Sequence, residues 1–268
     1  MQNLALFPGL DLQSISLYLI MLFISSLRVG AFLIASPFFG SRMVPLPVRI
    51  VFSIALGVGI FPKITLPNID QLLSSQLIPI VFQEIFIGLT CGMILSICFS
   101  TVILAGEKIA STSGLAFASQ IDPSNGAQSP VISQIFSLFL LMTFFALNGH
   151  LVVFEGIYKS YERLPIGSAN NFLWFIETGL ESSNLIYEKA VIIVLPIVSI
   201  LFFMNLGIGF ITKSAPQLNL FSFGFPMTIL GTFFALYFSV DALNYAFGDL
   251  IDSSLSFVLL ILTGGRDG

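Results

Sequence analysis

The chain has 268 residues, of which 56% are hydrophobic and 9% charged, with a net charge of −4. A soluble domain carries about 25% charged residues, and a soluble chain this apolar would expose patches and precipitate, so its solvent is a membrane or an assembly that excludes water as a membrane does. The basic residues form no cluster, which removes an electrostatic footprint for nucleic acid, and one His with two Cys offers no metal-ligand spacing.

The chain is best counted in hydrophobic passes, each needing about 20 apolar residues to span as a helix. No Lys or Arg precedes Arg28, so residues 1–14 do not read as a secretory signal peptide. The runs in order are Ile15–Phe39, Ile50–Phe61, Leu77–Ala105, Val131–Tyr158, Leu185–Ile211 and Leu220–Phe247, with a short Leu255–Leu262 at the end. Ile50–Phe61 and Leu255–Leu262 are too short to cross as straight helices and read as re-entrant, interfacial or buried pieces. Prolines at 37, 45, 47, 62 and 67 punctuate the first two runs, and Ser111–Pro130, rich in Gly, Ser, Asn and Pro, separates the third from the fourth. A polar segment runs from Leu164-Pro165-Ile166-Gly167 to Asn184, and Ala215-Pro216-Gln217 joins the fifth run to the sixth.

Orientation should follow from Lys and Arg in the short loops. Simple alternation puts Arg42, Arg49, Lys108 and Lys213 on one side and Lys63, Lys159, Arg163 and Arg266 on the other, which decides nothing. Either the bias is weak or several runs do not cross in the ordinary way.

Arg28, Glu84, His150, Glu155, Lys189 and Asp241 interrupt apolar runs. A charge at the centre of a bilayer costs about 2.5–3.5 kcal/mol, so it persists by pairing, by snorkelling or by facing a polar cavity. No helical stripe relates these residues, which favours a structural pair such as Arg28 with Glu84 over a proton or substrate pathway. His150 follows Asn148-Gly149 and reads as a satisfied buried histidine at a helix kink, with a proton switch as the alternative. Cys91 and Cys98 share a helical face too far apart to bridge and read as buried inert thiols. Gly88 and Gly92 form a small-xxx-small pair that permits close helix approach. The 29 phenylalanines read mainly as packing against lipid or neighbouring subunits.

The stretch Gly106-Glu107-Lys108 through Gly114-Leu115-Ala116-Phe117-Ala118 to Asp122-Pro123 is flexible yet apolar at its centre. Gly114, Gly126 and the prolines oppose a continuous helix. Irregular backbone at membrane depth is tolerated only where protein buries it or it lines a cavity. A plug or gate and a buried connector both satisfy that condition.

Four stretches, in order and covering most of the chain, resemble the FliR family of the flagellar type III export gate. They are Leu27-Arg28-Val29-Gly30 with Phe39-Gly40-Ser41-Arg42 and Val44–Arg49; Gly106–Pro123; Leu147-Asn148-Gly149-His150-Leu151 with Leu164–Gly167; and Ala215-Pro216-Gln217-Leu218-Asn219 with Phe221 and Gly224-Phe225-Pro226. Ser111-Thr112-Ser113 is more polar than the family pattern before the plug glycine, and Lys213-Ser214 replaces a common Arg-Ala pair. The resemblance implies an all-α, multi-helix membrane protein of bent helical hairpins, one domain over residues 1–268 with a plug-like loop at 106–130. It implies co-assembly with FliP-like and FliQ-like subunits into a helical cone, beside FlhB-like and FlhA-like components, in the bacterial inner membrane at the flagellar basal body, with much of the gate at periplasmic level. Unfolded flagellar substrates would pass through it, and the chain would be no enzyme and hold no cofactor or metal. Gly106, Glu107, Gly114, Leu115, Ala116, Phe117, Ala118, Asp122 and Pro123 would form the plug. Arg28, Glu84, Asn148, Gly149, His150, Lys213, Pro216, Gln217, Gly224 and Pro226 are the structural or interface candidates. The virulence type III counterpart shares the resemblance, and a secondary transporter, with Pro196, Gly207 and Gly209 breaking a helix, is the rival from another class.

Overall fold

A computed structural model describes residues 12–41, 44–61, 77–115, 130–168, 172–215, 217 and 223–265. All regular structure among these residues is helical: α1 (Leu12–Ala35), α2 (Leu46–Ile60), α3 (Leu77–Ser113), α4 (Val131–Ala146), α5 (Gly149–Arg163), α6 (Phe172–Ser182), α7 (Asn184–Ser214), α8 (Phe225–Phe238) and α9 (Val240–Thr263). Four helical stretches are long and apolar enough to cross a membrane, namely Tyr18–Ala35, Leu77–Ser113, Leu173–Ser214 and Val240–Thr263. The bent pair α4–α5 would make a fifth.

Local chemistry explains most of the boundaries. Pro47 sits in the first turn of α2 and Pro226 in that of α8, where a missing N–H is harmless. Asn148 takes a φ of 56° between α4 and α5, a left-handed conformation that Asn tolerates better than most residues. Gly167 has φ 78° at the third position of the turn Pro165–Ser168, closed by Ser168 N–H to Pro165 O at 3.1 Å.

The chain packs as two compact units, and α3 and α9 each contribute to both. In the first (Met1–Ser96, Leu151–Leu180 and Leu255–Gly268) α1 lies directly on α3. A Cβ on Gly88 would collide with the Arg28 carbonyl, and one on Gly92 would sit 2.6 Å from the Ala35 Cβ. The pair at 88 and 92 therefore sets the helix separation. Ser96 Oγ extends this contact by donating to Ala35 O at 2.6 Å. Phe32, Phe39 and Phe52 surround Phe154 at ring distances of 6.0, 5.9 and 5.8 Å.

The second unit comprises Ile97–His150 and Glu181–Ser254. Here α3 meets α4 at Gly106, where a Cβ would lie 2.5 Å from the Ser133 Cα. Ser133 Oγ donates to Ile103 O at 3.1 Å. Phe247 of α9 packs against Phe136 and Phe139 of α4 at 5.6 and 5.7 Å, and Lys189 of α7 pairs with Asp249 of α9 at 2.6 Å.

Several boundaries differ from those expected. α3 does not stop at Ala105; it continues through Ser113, because Lys, Glu, Ala, Ser and Thr all tolerate a helix, and Thr112 Oγ1 bonds back to Lys108 O at 2.8 Å. The sixth run is broken at Ser239, and the short seventh is the end of the 24-residue α9. The polar segment after Leu164 contains the helix α6. Pro196, Gly207 and Gly209 all lie inside the uninterrupted α7 and break nothing.

Candidate functional site

Within the first unit, one buried polar node joins three helices. Arg28 comes from α1, Glu84 from α3, and Ser160 and Tyr161 from α5. Arg28 Nε donates to Glu84 Oε2 at 2.9 Å and Nη2 to Oε1 at 3.0 Å, a two-pronged pair with both side chains fully buried. Nη2 also donates to Leu164 O at 3.1 Å, and Nη1 to Ser160 Oγ at 2.6 Å. Ser160 in turn donates to Ile157 O at 2.6 Å, so its lone pairs face the guanidinium. The Arg28 Cζ lies 4.1 Å from the centroid of the Tyr161 ring, whose hydroxyl donates to Ser25 O at 2.8 Å.

The planar fork of arginine suits this arrangement, since it meets a carboxylate with two parallel bonds and still has donors left. It also places a cation at the C-terminal end of α5, where the unpaired carbonyls carry partial negative charge. A buried ion pair is poor evidence of net stability, because desolvation offsets the attraction. Its strength is directional: only one arrangement of α1, α3 and α5 satisfies all these groups together.

A second constellation, in the second unit, fixes the end of α3. The Ser113 carbonyl accepts from Thr228 Oγ1 at 3.0 Å and the Thr112 carbonyl from Asn205 Nδ2 at 3.4 Å. Gly114 turns the chain at φ 82° beneath the Phe225 ring, where a Cβ would come within 2.7 Å of Cδ1. Leu115 N–H donates to Ser113 Oγ at 3.4 Å. Gly106 and Glu107, expected in the loop, are helical, so the irregular stretch begins at Gly114. Ala116, Phe117, Ala118, Asp122 and Pro123 lie outside the described residues.

At the break between α4 and α5, Gly149 is buried, with a Cβ position 2.5 Å from the Phe144 ring. The His150 ring lies tilted against Phe145 with centroids 4.9 Å apart, but its buried Nδ1 has no hydrogen-bond partner among the described residues, contrary to the satisfied histidine expected there. Lys213 is exposed in the last turn of α7, and Gln217 is exposed beyond it. Gly224 is buried at the N-cap of α8, followed by the exposed Pro226. Pro216 lies outside the described residues. Cys91 and Cys98 are free and buried.

Ser160, Tyr161 and Thr228 are not marked by any pattern in the sequence. A hydroxyl one residue before a tyrosine on a helix is too common a pattern to signal a partner more than 130 positions away. No group of three or more His, Cys, Asp or Glu converges among the described residues.

The fold and this node define a helical membrane protein whose internal charges are used for packing. The chain belongs to the bacterial export proteins, family 1, which it matches over residues 19–254. It is 32% identical over 216 residues to the flagellar biosynthetic protein FliR of Bacillus subtilis (strain 168), covering 78% of this chain and 82% of that one. It is 30% identical over 207 residues to FliR of Escherichia coli (strain K12), covering 76% and 77%. The surface presentation of antigens protein SpaR of Shigella flexneri is 26% identical over 236 residues, covering 87% and 90%. This chain is therefore a non-enzymatic membrane component of the flagellar type III export apparatus.

Proposed function

We propose that the chain is a core subunit of the flagellar export gate. With FliP-like and FliQ-like subunits it forms the channel for unfolded export substrates, beside FlhA-like and FlhB-like components. The gate sits at the basal body in the inner membrane, with much of its mass at periplasmic level. The observation that carries this reading is the apolar surface of the second unit. Phe202, Phe203, Phe210, Phe233, Phe234 and Phe238 are each more than half exposed, at 56%, 70%, 71%, 58%, 57% and 78%. A surface of this kind is covered in the working state, by neighbouring subunits or by lipid.

The stretch from Gly114 to Pro123, which follows the end of α3, serves as the plug. Leu115 and Phe117 supply an apolar seal against ions, and Gly114 supplies the hinge. Support comes from the rigid exit of α3: Asn205, Thr228 and Phe225 hold the chain up to Gly114. Deleting Leu115–Pro123 leaves α3 whole and tests the idea. Ion leakage through the assembled gate should rise in proteoliposomes; leakage equal to that of the unaltered gate would defeat the plug assignment.

A further inference from the structure

The last four carbonyls of a helix have no partner within its own backbone. At the end of α3 all four nonetheless have a donor. The Ala110 carbonyl accepts from Ser113 Oγ at 3.0 Å and the Ser111 carbonyl from Gly114 N–H at 3.4 Å. Those two donors belong to α3 and its exit. The other two come from other helices: Asn205 of α7 donates to the Thr112 carbonyl at 3.4 Å, and Thr228 of α8 to the Ser113 carbonyl at 3.0 Å. The helix end that leads into Gly114 is thus capped from outside. The two capping helices also meet each other beside these donors. The side chain of Met204, next to Asn205, lies over Gly231, one turn beyond Thr228, in the space that a Cβ there would take.

Thr228 is more than an ordinary cap. Its Oγ1 lies 3.0 Å from the Ser113 carbonyl and also 3.0 Å from the Phe225 carbonyl of its own helix. A hydroxyl has one proton to donate. Thr228 therefore serves either α3 or α8, and it loses no hydrogen bond in changing over. The change leaves the carbonyl of Ser113, a buried residue, without its donor. Asn205 is exposed, and water can replace its bond to Thr112. Phe225, whose ring covers Gly114, stands one turn before Thr228, so a shift of α8 moves ring and hydroxyl together.

We propose that the first turn of α8 is a latch on the end of α3, with Thr228 as its positioning residue. While the Thr228 hydroxyl donates to the Ser113 carbonyl, Gly114 is held beneath Phe225. When α8 moves off, the hydroxyl turns to the Phe225 carbonyl, the ring leaves Gly114, and the hinge is free. The inference rests on the plug reading and adds what holds and releases the plug.

The test compares Thr228→Val, which keeps the branched shape and removes the proton, with Thr228→Ser, which keeps the proton and removes the methyl. Each is made in the full chain, co-expressed with its FliP-like and FliQ-like subunits, and ion leakage per assembled gate is read in proteoliposomes. Thr228→Val should raise leakage about fivefold, the equivalent of one net hydrogen bond of about 1 kcal/mol. Thr228→Ser should leave it at the unaltered level. Unchanged leakage in Thr228→Val would overturn the latch. So would an equal rise in both variants, since shape and not the proton would then decide. If Thr228→Val yields no assembly, hydrogen exchange on the full chain in mild detergent decides. The Gly114 and Leu115 amides should exchange about fivefold faster in Thr228→Val than in Thr228→Ser, and equal rates would overturn the proposal. Deletion of Leu115–Pro123 separates the two readings. If it raises leakage and Thr228→Val does not, only the latch fails. If the deletion itself leaves leakage unchanged, the plug reading fails, and the latch with it.

Discussion

Substituting Arg28 with Met removes the guanidinium and leaves the Glu84 carboxylate fully buried with no partner. Breaking a buried pair from one side costs about 3–5 kcal/mol. Glu84→Leu leaves the guanidinium with its bonds to Ser160 and Leu164 O but no counter-charge, and should cost a similar amount. The double variant Arg28→Met/Glu84→Leu buries no charge. Its main defect is the Leu164 carbonyl left unsatisfied, about 1–3 kcal/mol, since Ser160 keeps its bond to Ile157 O. The double variant should therefore be more stable than either single one, and the coupling should be at least about 3 kcal/mol. Equilibrium unfolding in mixed micelles, followed by far-UV circular dichroism, reads the cycle. Trp174 is the sole tryptophan, 5.1 Å from Phe175 in the same unit, and gives a local fluorescence signal. If the double variant loses the sum of the single losses, the node is not a coupled unit and the reasoning fails.

Three further outcomes follow from the geometry. Gly88→Val drives a side chain into the Arg28 carbonyl and should destabilise by about 1–3 kcal/mol or more through overpacking, seen as a lower unfolding midpoint in the same micelles. Tyr161→Phe removes the donor to Ser25 O in a dry site and should cost about 1–3 kcal/mol without altering helical content. Gly114→Ala forces a Cβ into the left-handed region at a cost of about 1–2 kcal/mol. It also presses on the Phe225 ring, so Phe225→Leu should recover part of the loss.

Much of the architecture was legible because apolar runs report directly on buried or lipid-facing helices. The break at Asn148 was marked by Asn-Gly, and the Gly88/Gly92 spacing marked a close helix approach without naming its partner, α1. The pairing of Arg28 with Glu84 followed from the cost of leaving either charge alone in an apolar run. Hydropathy failed where a helix is not wholly apolar. The end of α3 reads as polar, yet its Ser and Thr hydroxyls bond within the helix. The α6 helix hid in a stretch carrying Glu177 and Glu181, and Ser239 broke an unbroken apolar run with no proline to announce it. The partners of Arg28 other than Glu84, and the hold of Thr228 and Phe225 on the end of α3, depend on tertiary placement that no local pattern encodes.

As one subunit of a hetero-oligomeric gate, the chain should be recovered together with its partners. Native mass spectrometry of the tagged chain, purified in mild detergent after co-expression with its FliP-like and FliQ-like partners, tests it most directly. The expected result is one discrete hetero-oligomer containing all three chains. Recovery only as a stable monomer or homo-oligomer, with both partners well expressed, would contradict it.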